Sequence, residues 1–384
     1  MKRAGCLLIA LVLVLGALPL SAGAVELDVA GKSAVLMDLE TGTVLYEKNA
    51  HEALHPASVT KVMTMLLIME AIDAGKIGWD DMVTASEAAA AKGGSQIYLK
   101  VGEQFSVTEM LKSIAVSSAN ACACAMAEHI AGSESAFVDM MNARAKELGM
   151  NDTHFVNCTG LDDEDNAAEH LTSAYDIAVM SRELLKSHPD IKKFTTIWMD
   201  TVRDGKFGLA NTNKMVRFYS GCTGLKTGYT KKAGFCLSAS AERDGLGLIA
   251  VVMGASTSAE RFAACKSMLD YGFANFALVE AETQEDTAVP VKLGTSDSVR
   301  AVPGSDTKLL IDRAQRSSVT TEVTLDAEVT APVSKGQRLG ELVVKSGEQI
   351  LAKVPLVAEN EVGRLSWGEL LVKVLRKLAM AKGN

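Results

Sequence analysis

The sequence predicts an α/β (α+β) domain in which helices cover an antiparallel sheet, followed by a small all-β sandwich domain. Two short strands joined at Thr41-Gly42 precede a long helical block, and three further strands and a helix follow it. Beyond residue 283, short strands recur between turn residues, and residues 323–330 alternate between apolar and polar side chains. The predicted strands of the first domain are residues 33–39, 43–47, 224–230, 234–241 and 246–253, and its closing helix is residues 259–271.

The first residues have the pattern of a signal peptide. Lys2 and Arg3 precede an apolar run, residues 6–20, and Ala22-Gly23-Ala24 supplies a small-residue cleavage pattern. We therefore predict an exported protein at the outer face of the cytoplasmic membrane or in a periplasm. The predicted division of the chain is a signal peptide at 1–24, an α/β domain at 25–282, a β-sandwich at 283–360 and an amphipathic helix at 361–384.

Composition and spacing exclude several classes of protein. The 384-residue chain has a formal net charge of −8 and no basic cluster in its body, which argues against nucleic acid as a partner. Its histidines lack the spacing of a zinc peptidase, so we expect no metal and no cofactor.

We expect the cysteines of the mature chain to be buried thiols, with a disulfide between Cys222 and Cys236 as the alternative. The cysteines of the mature chain are Cys122, Cys124, Cys158, Cys222, Cys236 and Cys265.

The C-terminal residues fit an amphipathic helix with a wide apolar face. Lys373, Arg376 and Lys377 lie off that face. The run is too short to span a bilayer, but a basic amphipathic helix with a tryptophan can lie at a membrane surface, which is the role we expect. Docking of this helix on its own β domain is the alternative. The apolar face comprises Trp367, Leu370, Leu371, Val374, Leu375 and Leu378.

Ser58-Val59-Thr60-Lys61 sets a hydroxyl and an amine three residues apart at the start of an apolar helix. Three residues are nearly one helical turn, so Ser58 and Lys61 share a face. A lysine buried there is driven toward its neutral form, in which it can take a proton from serine. Seen alone, the same tetrad fits a helix-capping serine followed by a surface lysine.

Two further motifs favour the catalytic interpretation. Ser118-Ala119-Asn120 precedes a helical run, within a helical segment predicted over residues 115–130. Lys226-Thr227-Gly228 lies on a predicted strand. The order S-x-x-K, S-x-N, K-T-G is typical of active-site serine β-lactamases and penicillin-binding proteins.

The chain resembles the serine-type D-alanyl-D-alanine carboxypeptidases, the low-molecular-mass penicillin-binding proteins, over nearly its whole length. Phe155-Val156-Asn157, His170 and Asn211-Thr212-Asn213 are also similar to that family. The resemblance implies a serine transpeptidase/β-lactamase-like catalytic domain. It also implies that the chain removes the terminal D-alanine from peptidoglycan stem pentapeptides through an acyl-enzyme and is acylated by β-lactams. Ala121 stands where the family often carries aspartate.

By the same resemblance, four side chains take part in the catalytic steps. Ser58 is the nucleophile and Lys61 its general base. Ser118, together with Lys226, relays a proton toward the departing amine. His170 is interpreted as a structural hydrogen-bonding residue.

The resemblance also implies which residues bind the substrate. Lys226 and Thr227 hold the terminal carboxylate, and Asn120 binds the substrate backbone or orients Lys61. Gly228 lets the strand edge come close to the ligand. The backbone N–H groups of Ser58 and Tyr229 form the oxyanion hole.

Three alternatives remain open. A D,D-endopeptidase and a β-lactamase can be built on the same fold, and a catalytically silent wall-binding protein can retain it. The sequence shows no E-x-x-L-N-type segment to supply a deacylating glutamate, and the extra β domain also favours a carboxypeptidase. The preferred stem peptide is not predicted.

Overall fold

The computed structural model describes residues 27–163, 166–282 and 287–381. The predicted signal peptide lies outside the described residues, as does residue 283, the predicted first residue of the β-sandwich.

A five-stranded antiparallel sheet in the order β2-β1-β9-β8-β7 forms the centre of the catalytic unit, as the sequence predicts. The innermost strand, β9, is apolar along nearly its whole length, because both faces of the sheet are covered. β7 lies at one edge and therefore leaves one side of its backbone available for other contacts. The strands are β1 Ser33–Asp38, β2 Val44–Lys48, β7 Cys222–Thr230, β8 Gly234–Arg243 and β9 Leu246–Ala255.

Successive side chains of β9 enter two separate cores. Ile249 and Val251 pack with the helical block on one face, whereas Ala250 and Val252 pack with the closing helix on the other. This alternation follows from the two-residue period of a strand. The sheet is therefore the middle layer of three.

The helical block lies between β2 and β7 in sequence. α1 is apolar around its whole circumference and is buried accordingly. Two short antiparallel strand pairs are inserted between the helices: β3 Met82–Thr84 with β4 Gln104–Ser106, and β5 Met199–Val202 with β6 Phe207–Ala210. The α-helices are α1 Lys61–Asp73, α2 Glu87–Ala90, α3 Val107–Ser117, α4 Asn120–Ala131, α5 Glu134–Glu147, α6 Ala174–Ser187, α7 Lys192–Thr195, α8 Met215–Phe218 and the closing α9 Ser258–Asn275.

The helix predicted to follow the S-x-N motif is confirmed, and the helical segment predicted over residues 115–130 is interrupted only at Ser118 and Ala119. α3 ends at Ser117, and Ser118 adopts a left-handed conformation with φ +62°. The chain turns there, and α4 begins at Asn120. The S-x-N motif thus occupies a tight junction between two helices.

The C-terminal region is an all-β domain with its own apolar core, as predicted. Its six-stranded sheet has the order β14-β16-β17-β12-β11-β15. β13 does not belong to this sheet and pairs with β10, which directly follows α9. The alternating run at 323–330 is divided between β14 and β15. The strands are β10 Phe276–Glu280, β11 Ala288–Lys292, β12 Ser298–Pro303, β13 Lys308–Asp312, β14 Val319–Leu325, β15 Val329–Thr330, β16 Arg338–Ser346 and β17 Gln349–Ala358.

The last described element is the helix α10, Trp367–Ala381. Within the described ranges, no helix combines the length and the apolar character needed to cross a bilayer.

The six cysteines of the described chain are free thiols, as expected. The alternative disulfide is excluded by the register of the β7–β8 hairpin. Cys222 lies opposite Ala241, and Cys236 lies opposite Gly228.

Candidate active site

Ser58 and Lys61 meet in one helical turn, as their spacing predicts. Ser58 lies in a 3-10 helix, Ala57–Thr60, and Lys61 is the first residue of α1. The Nζ of Lys61 donates to Ser58 Oγ at 3.0 Å and to the carbonyl oxygen of Thr159 at 2.7 Å. The amine is therefore held against the hydroxyl by a second, fixed acceptor.

Lys61 is fully buried. Burial lowers the pKa of Lys61 to about 7, and the nearby Cys158 opposes this shift only in part. A substantial fraction of this amine is then neutral near pH 7. It can accept a proton there, which an ordinary lysine cannot.

The backbone before Ser58 is tightly constrained. Ala57 has φ +48°, a conformation that costs an alanine about 1–2 kcal/mol. A Cβ on Gly160 would lie 1.9 Å from the Ala57 carbonyl oxygen, and one on Gly228 would lie 2.6 Å from that of Pro56. Only glycine fits at both positions. Gly228 thus brings β7 against the Ser58 turn itself, a contact that the sequence reasoning did not anticipate.

The Ser118–Asn120 junction is buried. The Asn120 side-chain amide donates to the Gly93 carbonyl at 2.7 Å, and its backbone N–H donates to Ser95 at 2.8 Å. Ser118 Oγ and Asn120 Oδ1 are buried without a hydrogen-bond partner among the described residues. Buried polar atoms of this kind are normally satisfied, so the pair is suited to a ligand.

Lys226 and Thr227 lie on the edge strand β7. Lys226 is buried and donates to the Thr227 carbonyl at 3.0 Å. Burial, together with the positive charges of Lys61 and Arg261, holds the pKa of Lys226 well below its ordinary value. Three basic side chains thus interact with one another, and a bound anion would favour their protonated forms.

Thr212 connects β7 with the Ser118 junction. The Thr227 hydroxyl donates to that of Thr212 at 2.7 Å, and the Thr212 N–H donates to the Val116 carbonyl, two residues before Ser118. Gly94 lies directly against the side chains of Asn120 and Leu161, because a Cβ added to it would touch both. Leu161 is two residues after Thr159, whose carbonyl binds Lys61, so this segment also adjoins the Ser118–Asn120 junction. The three motifs therefore line one site.

Arg261 of α9 supports the strand β7, on which Tyr229 is exposed. Arg261 donates to the carbonyls of Gly228 at 2.8 Å and Cys236 at 3.2 Å, which fixes β7 from behind. The Tyr229 ring is 55% exposed and packs on Phe235 at 4.3 Å between centroids.

Sequence reasoning missed several supporting residues. Thr159 acts through its backbone carbonyl, for which no sequence signal exists. Thr60 lies inside the first motif, yet nothing in the sequence pairs it with His170, whose Nε2 lies 2.7 Å from the Thr60 hydroxyl.

Within the described ranges, no group of three or more histidine, cysteine or acidic side chains is arranged to hold a metal ion.

Comparison with known proteins gives two family matches. Residues 21–257 match the D-alanyl-D-alanine carboxypeptidase family, and residues 273–364 match the C-terminal domain of penicillin-binding protein 5. The first match covers more than half of the chain.

Individual relatives agree with these matches. The chain is 44% identical to the D-alanyl-D-alanine carboxypeptidase DacF of Bacillus subtilis, over 91% of this chain and 90% of the relative. It is 34% identical to DacA of Escherichia coli K12, over 86% and 83%. Among solved structures, penicillin-binding protein 5 from Haemophilus influenzae aligns with a TM-score of 0.77 and 31% identity, covering 89% of this chain and all of that one. The chain belongs to the D-alanyl-D-alanine carboxypeptidase family of serine peptidases.

Proposed function

We propose that this chain is a serine D-alanyl-D-alanine carboxypeptidase that trims peptidoglycan stem pentapeptides, with Ser58 as its nucleophile. The observation that carries the assignment of Ser58 is its 3.0 Å hydrogen bond from Lys61, whose pKa burial lowers to about 7. Neutral Lys61 takes the proton of Ser58 as Oγ attacks the carbonyl carbon between the last two D-alanines.

Collapse of the tetrahedral intermediate breaks the C–N bond. The departing amine takes a proton through Ser118, aided by Lys226, and D-alanine leaves. Water then attacks the acyl-enzyme with base assistance and regenerates Ser58. The backbone N–H groups of Ser58 and Tyr229 stabilise the oxyanion in both halves of the reaction.

Recognition of the terminal carboxylate is assigned to Lys226 and the Thr227 hydroxyl. An opposite charge favours the protonated form of a lysine, so the incoming carboxylate raises the pKa of Lys226 again. Asn120 Oδ1, which has no partner among the described residues, accepts an N–H of the substrate backbone.

The reaction is tested with a defined stem pentapeptide and a fluorescent penicillin. We expect tetrapeptide and free D-alanine in equal amounts, and a long-lived covalent penicillin adduct. Rapid turnover of the penicillin would identify a β-lactamase. Cleavage of cross-linked dimers without D-alanine release would identify an endopeptidase, and no reaction in any assay would identify a silent wall-binding protein.

We further propose that α10 binds the membrane surface of an exported protein. Trp367, Leu371 and Leu375 are 88%, 61% and 56% exposed, and their spacing places them on one face of the helix. Lys373 bonds to Asp297 at 2.5 Å, which ties the helix to the β domain while that face stays uncovered. An uncovered apolar face of this kind is suited to the lipid interface.

We expect two changes to weaken binding to anionic lipid vesicles roughly tenfold or more: removal of residues 366–384, and the double change Leu371→Glu with Leu375→Glu. In both, two large apolar side chains no longer enter the interface. Vesicle co-sedimentation measures this. The control is Ile350→Glu, which alters an apolar residue of the β domain that is 50% exposed. Equal binding of all variants rejects the membrane role.

A further inference from the structure

A buried hydrogen-bond chain ends at the peptide bond that precedes Ser58. The Val156 N–H donates to His170 Nδ1 at 3.1 Å, and His170 Nε2 lies 2.7 Å from Thr60 Oγ1. The Thr60 hydroxyl in turn donates to the Ala57 carbonyl at 2.8 Å. Ala57, Thr60 and His170 are each at most 3% exposed.

The direction of this chain is fixed. Nδ1 of His170 accepts from Val156, so in the neutral ring Nε2 carries the proton and donates it to Thr60. Burial lowers the pKa of His170 to about 3, and the nearby His55, His154 and Lys61 contribute in the same direction. The ring therefore stays neutral at any pH at which the enzyme is expected to work, and the chain keeps one polarity.

The backbone of residue 170 holds the same turn from the other side. His55 Nδ1 donates to the His170 carbonyl at 3.0 Å. Leu54 and Thr172 exchange two backbone hydrogen bonds of 2.8 and 2.9 Å. The segment 170–172 thus holds residues 54–57 through both backbone and side chain.

The Ala57 carbonyl matters because it belongs to the same planar peptide unit as the Ser58 N–H. In a trans peptide these two groups point in opposite directions, so fixing the carbonyl also aims the N–H. The φ of +48° at Ala57 is unfavourable for alanine, and its orientation therefore depends on outside contacts. Thr60 supplies one such contact, and the close approach of Gly160 supplies the other.

We propose that His170 is a positioning residue for the nucleophile: acting through Thr60, it fixes the Ala57–Ser58 peptide unit and so aims both the Ser58 hydroxyl and the Ser58 N–H. This inference rests on the proposed function, in which that N–H is an oxyanion donor. His170 touches no reacting atom. Its contribution is to keep the turn in the one orientation from which Ser58 can react.

The test is the rate of acylation by a fluorescent penicillin in Thr60→Val, His170→Phe and the double variant. Each single change is expected to lower the acylation rate constant at saturating penicillin about 10- to 100-fold, with the apparent dissociation constant little changed. The double variant is expected to be no slower than the slower single variant, because both changes break one chain. Thr60→Ser and His170→Gln retain a donor and are expected to recover most of the rate.

His188→Phe is the matched control, since His188 is also buried and bonds to Asp73 away from this chain. It is expected to lower the melting temperature but leave the acylation rate of the folded enzyme unchanged. Wild-type rates in folded His170→Phe, or losses that multiply in the double variant, overturn the proposal. If His170→Phe does not fold, the Thr60→Val and Thr60→Ser pair decides, and equal rates in these two overturn it. Failure of the proposed function is distinguishable because it shows in the wild-type enzyme: the penicillin adduct is absent or turns over rapidly, or the stem pentapeptide releases no D-alanine.

Discussion

Ser58→Ala is expected to abolish the covalent penicillin adduct and to lower D-alanine release by a factor on the order of 10⁴ to 10⁶. The change removes the oxygen that receives the hydrogen bond from Lys61 and that forms the acyl bond. The rest of the site is retained, so the variant should fold and still bind the stem peptide. Gel fluorescence and mass spectrometry of the intact protein measure the loss of the adduct, and a D-alanine assay measures the loss of D-alanine release.

Ser106→Ala is the matched control for Ser58→Ala. Ser106 caps the far end of α3 from Ser118, with its Oγ accepting from the Glu109 N–H at 3.2 Å. Loss of this cap is expected to lower the free energy of unfolding by about 1 kcal/mol and to leave labelling intact. If D-alanine release persists near the wild-type level in Ser58→Ala, another residue is the nucleophile.

Much of the fold could be predicted from local pattern alone. β8 alternates between apolar and mainly polar residues and β9 is a long apolar run. Asp244-Gly245 lies between them, and a tight turn between two such segments specifies a hairpin. The start of a helix after Ser118-Ala119-Asn120 was predicted, but the left-handed backbone at Ser118 was not, because apolar residues continue on both sides of it. The pairing of β13 with β10 depends on contacts distant in sequence, so the period of its side chains did not indicate its partner.

The candidate site, like the fold, could be predicted from the sequence only in part. Ser58 and Lys61 could be paired from sequence because helical geometry brings residues three apart together. Lys61 reaches Thr159, and Thr60 reaches His170, across about a hundred residues of chain. Those partners are set by tertiary packing. The left-handed backbone at Ala57 could not be predicted either, since alanine rarely adopts such a conformation.

Titration of Lys61 gives the second large prediction. The folded pKa of about 7 lies below the ordinary lysine value, so Lys61 is protonated and inactive as a base at acidic pH. The acylation rate is therefore expected to fall about tenfold per pH unit below pH 7 and to level off above it. Measuring penicillin acylation from pH 5 to 9 on the intact enzyme checks this. A rate that is flat from pH 5 to 7 contradicts the role of Lys61 as the base.

Lys61→Arg separates the role of charge from that of proton transfer. Arginine keeps a cation at this position but does not lose its proton in proteins, so it cannot act as a base for Ser58. Acylation is expected to fall by at least 10³-fold and not to recover at any pH from 5 to 9. Lys112→Arg is the control, because Lys112 pairs with Asp200 outside the site, and this variant should keep the wild-type rate and pH profile. Substantial acylation in folded Lys61→Arg would mean that Ser58 loses its proton to another group, and the geometry then leaves Lys226, the other buried lysine with a strongly lowered pKa, as the next candidate.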